Sequence, residues 1–217
     1  MKTRIAKHGN RALTLVEVVV VLFLLSLLAA ILLPALAAAK RGGGWNCYNR
    51  QKQTGLAFNI WAGDNNDKYP MDVSVTNGGA MELAAAGNTA AIFQVMSNEL
   101  STPKVLICPA DKDHQMATNS FFSLTSKNVS YFVGLDASKN SPLSFLSGDD
   151  NFESDGYPIK SGLHFISTNA MKYWNTDRHN RGGNILLVDG SVQSLKNSDL
   201  LNQVHQTGLA TNRLAIP

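Results

Sequence analysis

From Val18 to Ala39 every position is apolar except Ser26 and Pro34. At about 1.5 Å per residue, a helix over this run reaches about 33 Å, enough to cross the hydrocarbon core of a bilayer. The rest of the chain mixes apolar and polar positions as soluble globular sequence does. One carboxylate, Glu17, stands at the mouth of the run. An acid near a bilayer core costs about 2–3 kcal/mol or more, so such residues are rare and usually have a partner.

Downstream, the three glycines of Lys40–Gly44 weaken a helix by about 1 kcal/mol each, which predicts a hinge over 42–44. A helix follows from about Trp45. Its apolar face is read from Tyr48, Leu56 and Ile60, widened by Ala57 and Trp61, and it stops at Gly63-Asp64-Asn65-Asn66-Asp67. The Ala- and Leu-rich stretch Met81–Leu100 predicts a helix broken at Gly87-Asn88. Lys104–Ile107 and Tyr131–Leu135 read as short strands. Ser138–Pro158 reads as a loop in which Asp149, Asp150, Glu153 and Asp155 form a solvated face, and Gly162–Thr168 reads as a strand carrying His164. The firmest local signal is a hairpin over 185–195, turning at Asp189-Gly190, with both residues in the left-handed region.

Charge divides the chain the same way. Lys2, Arg4, Lys7 and Arg11 give the first twelve residues +4, leaving fifteen basic against sixteen acidic residues in the remainder. The basic balance therefore belongs to the leader, and no basic stripe marks a nucleic-acid-binding surface. Cations ahead of the apolar run favour a cytoplasmic N-terminus and an exported C-terminal part. Ala35, Ala37 and Ala39 imitate the cleavage site of an ordinary secretory signal, but the length of the run favours a retained anchor. Cys47 and Cys108 fall in the exported part, where an oxidising compartment permits a disulfide; the alternative is two small buried thiols.

Candidate chemistry is sparse. Asp64 and Asp67, with neighbouring Asn residues, offer oxygen ligands for calcium but lack the spacing of a helix–loop–helix site, so a helix-ending turn is the simpler reading. Asp111, Asp113 and His114 fit no zinc signature. A G-x-S-x-G elbow, a phosphate loop and an H-E-x-x-H pair are all missing, so the sequence defines no reaction and implies no cofactor. His179 precedes the hairpin, more than about 10 Å along an extended strand from Asp189, which argues for a structural clasp over a His–Asp dyad.

The stretch Ala12, then Leu13-Thr14-Leu15-Val16-Glu17, resembles the signal cut by prepilin peptidases in type IV pilins and type II secretion pseudopilins, with Ala12 in place of the usual Gly. Pro34, twenty-one residues after Leu13, resembles the helix-bending proline of those proteins. His179, nine residues, then Asp189-Gly190 resemble the motif of a large prepilin-like group, as do CYNRQKQTGLAFNIWAGDNNDKYP and LICPADKD. The resemblance leaves roughly 80–98 and 137–172 uncovered. It implies cleavage after Ala12, methylation of the Leu13 amine, and an assembly role in which Glu17 meets the amine of a neighbouring subunit. It implies an α+β protein: leader 1–12, transmembrane and assembly helix 13–41, hinge 42–44, and a periplasmic head 45–217 with a helix packed on an antiparallel sheet. The expected partners are prepilin peptidase, an inner-membrane assembly platform, and further copies or other pseudopilins in a filament, with no nucleic acid. The expected location is the bacterial inner membrane, single-pass, extracellular once assembled. Such a subunit is structural and not an enzyme. The alternative is a membrane-anchored periplasmic binding module or metal-dependent hydrolase using the Asp- and His-bearing loops.

Overall fold

A computed structural model describes residues 14–40, 43–116 and 119–217, with side chains outside 34–40 and 43–45. Ala12 and Leu13 lie outside the described residues, as do Arg41 and Gly42 of the expected hinge. The chain divides into two units, 1–42 and 43–217.

The first unit contains helix α1 (Leu15–Lys40). It opens with a reciprocal capping box. The Glu17 amide donates to Thr14 Oγ1 at 3.3 Å, while the Thr14 amide and hydroxyl donate to Glu17 Oε2 at 2.8 and 2.9 Å. From Leu15 to Leu33 the large apolar side chains are exposed all round, and the helix is long and apolar enough to cross a membrane. Ser26 answers its own polarity by donating to the Phe23 carbonyl at 2.8 Å. The helix is continuous through Pro34.

The second unit begins with α2 (Gly43–Asp64), which takes in two of the three glycines assigned to the hinge. Its buried stripe is Cys47, Gln51, Thr54, Ala57, Phe58 and Trp61, while Leu56 and Ile60 are 61% and 46% exposed. The expected face is therefore rotated. Gly55 explains part of this: a Cβ there would lie 2.8 Å from Leu186 Cδ1, so the helix sits too close to the sheet for a larger residue. Phe58 then packs edge-on against Tyr69 and Phe93, at 5.9 and 6.1 Å between ring centres.

Met81–Leu100 forms three short helices, α3 (Met81–Ala85), α4 (Thr89–Val95) and α5 (Ser97–Leu100). Asn88 caps α4 by accepting from the Ala91 amide. The expected strand at 104–107 is instead a 3-10 turn over Pro103–Leu106. Pro103 presets its first position and Thr102 accepts from the Lys104 amide, so local turn chemistry outweighs the apolar run.

The expected loop at 138–158 contains three strands. The full set is β1 (Tyr131–Gly134), β2 (Phe145–Asp149), β3 (Phe152–Ser154), β4 (Tyr157–Pro158), β5 (Gly162–Ile166), β6 (Tyr173–Trp174), β7 (Gly182–Leu187), β8 (Val192–Lys196) and β9 (Asn212–Ile216); helix α6 (Asn197–Gln206) lies between β8 and β9. An antiparallel sheet runs β5-β9-β1-β2-β7-β8, and a small one runs β4-β3-β6. Alternation along the strands divides the interior: Tyr131, Val133, Leu146, Leu186 and Ala215 face the α2 layer. Phe132, Phe145, Ile185, Leu187, Leu214 and Ile216 face α6 and the small sheet. The protein is α+β, an apolar helix followed by helices on an antiparallel sheet.

Between the hydrogen-bonded Leu187 and Ser191, the β7–β8 hairpin turns through three residues, Val188-Asp189-Gly190, and not two. The Gly190 amide donates to the Leu187 carbonyl, and Leu187 and Ser191 close the loop. Gly190 alone of the pair is left-handed, at φ +81°. Asp189 Oδ1 accepts from the Ser191 amide at 2.7 Å, so its role in the turn is a side-chain-to-backbone bond.

Candidate functional site

Where β2 ends, the chain buries two consecutive aspartates, Asp149 and Asp150, in place of the solvated face expected there. They are tolerable inside because distant segments bring cations and donors to them. Asp149 Oδ2 accepts from the Asn184 amide and side chain on β7, at 2.7 and 2.8 Å. Arg178, 4% exposed, pairs through Nη2 with Asp150 and through Nη1 with Asp111 at 3.0 Å. His114 donates from Nδ1 toward Asp111 Oδ2 at 2.8 Å and places Nε2 3.6 Å from Asp150 Oδ2.

Burial raises the carboxyls of both Asp149 and Asp150; His179 and Asn184 partly offset it at Asp149, and Arg178 and His114 at Asp150. Burial also opposes ionisation at Asp111, but the His114 hydrogen bond and the Arg178 charge outweigh it and hold that carboxyl well below the usual range. For His114, burial disfavours the charged ring, yet the Asp111 hydrogen bond and the Asp150 charge raise it above its ordinary value. The carboxylates thus keep one permanent cation and one readily protonated histidine among them.

His179 approaches from the other side. Its Nε2 lies 3.4 Å from Asp149 Oδ2 and 3.4 Å from Cys108 Sγ. Cys108 is bonded to Cys47, joining the first turns of α2 to the segment after the 3-10 turn. The backbone that presents the ring is strained: His179, Asn180 and Arg181 have φ of +52°, +51° and +57°. Each left-handed non-glycine residue costs about 1–2 kcal/mol. Lys196 Nζ holds the turn by donating to the His179 and Asn180 carbonyls, both at 2.9 Å. An open cavity of about 660 Å³ borders the turn, lined by Tyr48, His179, Gly182, Gly183, Asn184 and Lys196 among others.

Of the residues singled out from sequence, Cys47, Cys108 and His179 come together, whereas Asp189 and Gly190 form the hairpin turn and His179 reaches Asp149 instead. Asp64 and Asp67 are exposed, and among the described residues neither joins a metal-competent group. Two such groups occur among those residues, Asp111-His114-Asp150 and Cys47-Cys108-His179. In the first, the Arg178 guanidinium already bridges the two carboxylates, so the resident cation is a side chain. Sequence reading missed Asp149, Asp150, Arg178 and Asn184. The available signal was a doubled acid directly after the apolar segment of β2.

Residues 7–33 match the family described as the prokaryotic N-terminal methylation motif. The chain therefore carries a prepilin-type processing and methylation signal, consistent with a type IV pilin-like protein. The motif lies on the exposed apolar helix, as it does in membrane-anchored proteins that prepilin peptidase processes. No curated protein and no solved structure matches the chain.

Proposed function

We propose that the protein is a pseudopilin-like structural subunit of a type II secretion pseudopilus or a type IV pilus-like filament. The observation that carries this reading is the methylation motif over residues 7–33, placed directly on an apolar helix that contains one carboxylate. Prepilin peptidase removes Met1–Ala12 and the Leu13 amine is methylated. An inner-membrane platform then stacks the apolar helices, with the new N-terminus at the cytoplasmic side and the head periplasmic. The mechanism is positional and not catalytic: Glu17 pairs with the amine of a neighbouring subunit and so sets the stagger between otherwise featureless helices, as one buried polar residue fixes register in a coiled coil. Pro34 shapes the assembled helix. In the head, His179 clasps the loop before β7 to the disulfide, and Asp189-Gly190 turn the hairpin behind it.

Mass and N-terminal sequence after co-expression with a prepilin peptidase test the reading. A chain beginning at Leu13, with a methylated amine, is expected. A chain cut near Ala39 would sink the proposal, because a soluble head without α1 has nothing to stack.

A further inference from the structure

We propose that the head, once the Cys47–Cys108 bridge is reduced, binds zinc through Cys47 Sγ, Cys108 Sγ and His179 Nε2. This inference is independent of the filament reading. The donor atoms lie within 4.8 Å of one another and come from three separate segments: α2, the loop after the 3-10 turn, and the left-handed turn before β7. Zinc binds thiolate sulfur at about 2.3 Å and imidazole nitrogen at about 2.0–2.1 Å, so tetrahedral S and N ligands stand about 3.5 Å apart. Cys108 Sγ and His179 Nε2 are 3.4 Å apart already. Two thiolates and one imidazole suit a soft or borderline cation and not calcium or magnesium. Water, or Asp149 Oδ2 beside the same ring nitrogen, completes the fourth corner.

Among the described residues, buried polar atoms without a hydrogen-bond partner include some on α2, β1 and β2. Gln51 follows Cys47 by one helical turn on the buried face of α2, is fully buried, and has no partner for either side-chain amide atom. Tyr131 Oη and Asp149 Oδ1 are likewise buried and unpartnered, on residues that face each other across β1 and β2. In a metal–thiolate centre, groups of this kind would serve to orient the ligands. Both cysteines are fully buried, while His179 lines the open cavity beside the turn.

The exchange balances with a dithiol as reductant. The S–S bond takes two electrons, the dithiol becomes a disulfide and loses two protons, and both cysteine thiolates bind the metal. Zinc would then replace the covalent staple between α2 and the 103–114 segment under reducing conditions, so the two are alternative fastenings of one joint.

The test uses the full-length chain in detergent micelles, reduced anaerobically with a phosphine and titrated with cobalt(II) as a spectroscopic probe, then with zinc. The reduced protein should bind one cobalt per chain with tetrahedral d–d bands and a thiolate-to-cobalt charge-transfer band that zinc displaces; the oxidised protein should not. His179→Ala should weaken binding at least tenfold, and Cys47→Ser with Cys108→Ser should abolish the charge-transfer band. Absence of that band in the reduced protein, or His179→Ala binding as tightly as wild type, overturns the proposal. If reduction alone unfolds the head, zinc that restores the circular dichroism of the oxidised protein supports it, and failure to restore it overturns it.

Discussion

Gly183 is the position at which one methyl group tests the arrangement behind the site. A Cβ there would lie 2.4 Å from both Cε2 and Nε1 of Trp174 and 2.8 Å from Cζ2. Carbon atoms pack best at about 3.5–4.0 Å, so the indole would have to retreat by about 1 Å. It has nowhere to go: Trp174 is fully buried and stacked on Phe152 at 5.4 Å, and Phe152 in turn packs 5.7 Å from Phe132. Moving the ring also loosens the bond from Nε1 to the Asp149 carbonyl, now 3.3 Å.

Overpacking of a filled core costs about 1–3 kcal/mol, and a trapped ring with a hydrogen bond at stake puts Gly183→Ala at the upper end. For a unit of this size, about 3 kcal/mol corresponds to a fall of roughly 6–12 °C in melting temperature. The assay is thermal unfolding of the full chain in detergent, followed by near-ultraviolet circular dichroism. Gly63→Ala is the companion: nothing lies within 4 Å of its Cβ, and it sits in α2, so it should be neutral or gain up to about 1 kcal/mol. In a Trp174→Leu background the cost of Gly183→Ala should largely vanish. A cost for Gly183→Ala below about 0.5 kcal/mol, or one unchanged by Trp174→Leu, would refute the packing argument.

Arg178→Leu leaves Asp111 and Asp150 buried without their cation and should cost about 3–5 kcal/mol in urea unfolding; a loss below about 1 kcal/mol would mean that the carboxylates are not charged in the folded state. His114 is raised in the folded protein, burial being outweighed by Asp111 and Asp150, so its contribution is fully present below about pH 6.5 and is lost as pH rises through the higher folded value. The stability gap between wild type and His114→Gln should accordingly be wider at about pH 5.5 than at about pH 8.5, and an equal gap at both would rule out a protonated His114.

What could be read from the sequence was what short-range pattern controls. The apolar run, the end of α2 near Asp64 and the strands beside Asp189-Gly190 each carry their signal within a few residues. The face of α2 misleads because its buried stripe contains Gln51 and Thr54, the latter donating to the Arg50 carbonyl, while Leu56 and Ile60 are exposed. Asp149 and Asp150 look like surface residues until Arg178, twenty-eight positions beyond Asp150, and Asn184 are placed beside them. Local pattern holds no trace of such a pairing. For His179, distance along the strand argued against Asp189 as a partner, and only the fold brings Asp149 to it.

The capping box gives Glu17 a local reason to exist before any filament does. In the unassembled subunit Thr14 supplies two donors to Oε2, which lowers the cost of holding a carboxylate beside the membrane. A carboxylate can accept about four hydrogen bonds, and Thr14 occupies two of those positions, both on Oε2. A neighbour's amine could therefore bind Oε1 without uncapping the helix, and on the proposed reading assembly adds a charge pair without having to break anything. The two roles separate by substitution. Glu17→Gln keeps an acceptor for the Thr14 amide but removes the charge, so processing and membrane insertion should survive while filament yield falls at least tenfold. Thr14→Ala removes a cap worth about 1 kcal/mol but leaves the charge, so filaments should still form. Equal assembly by Glu17→Gln and wild type, scored by electron microscopy of sheared filaments, would reduce Glu17 to a helix cap and leave the stagger to some other residue.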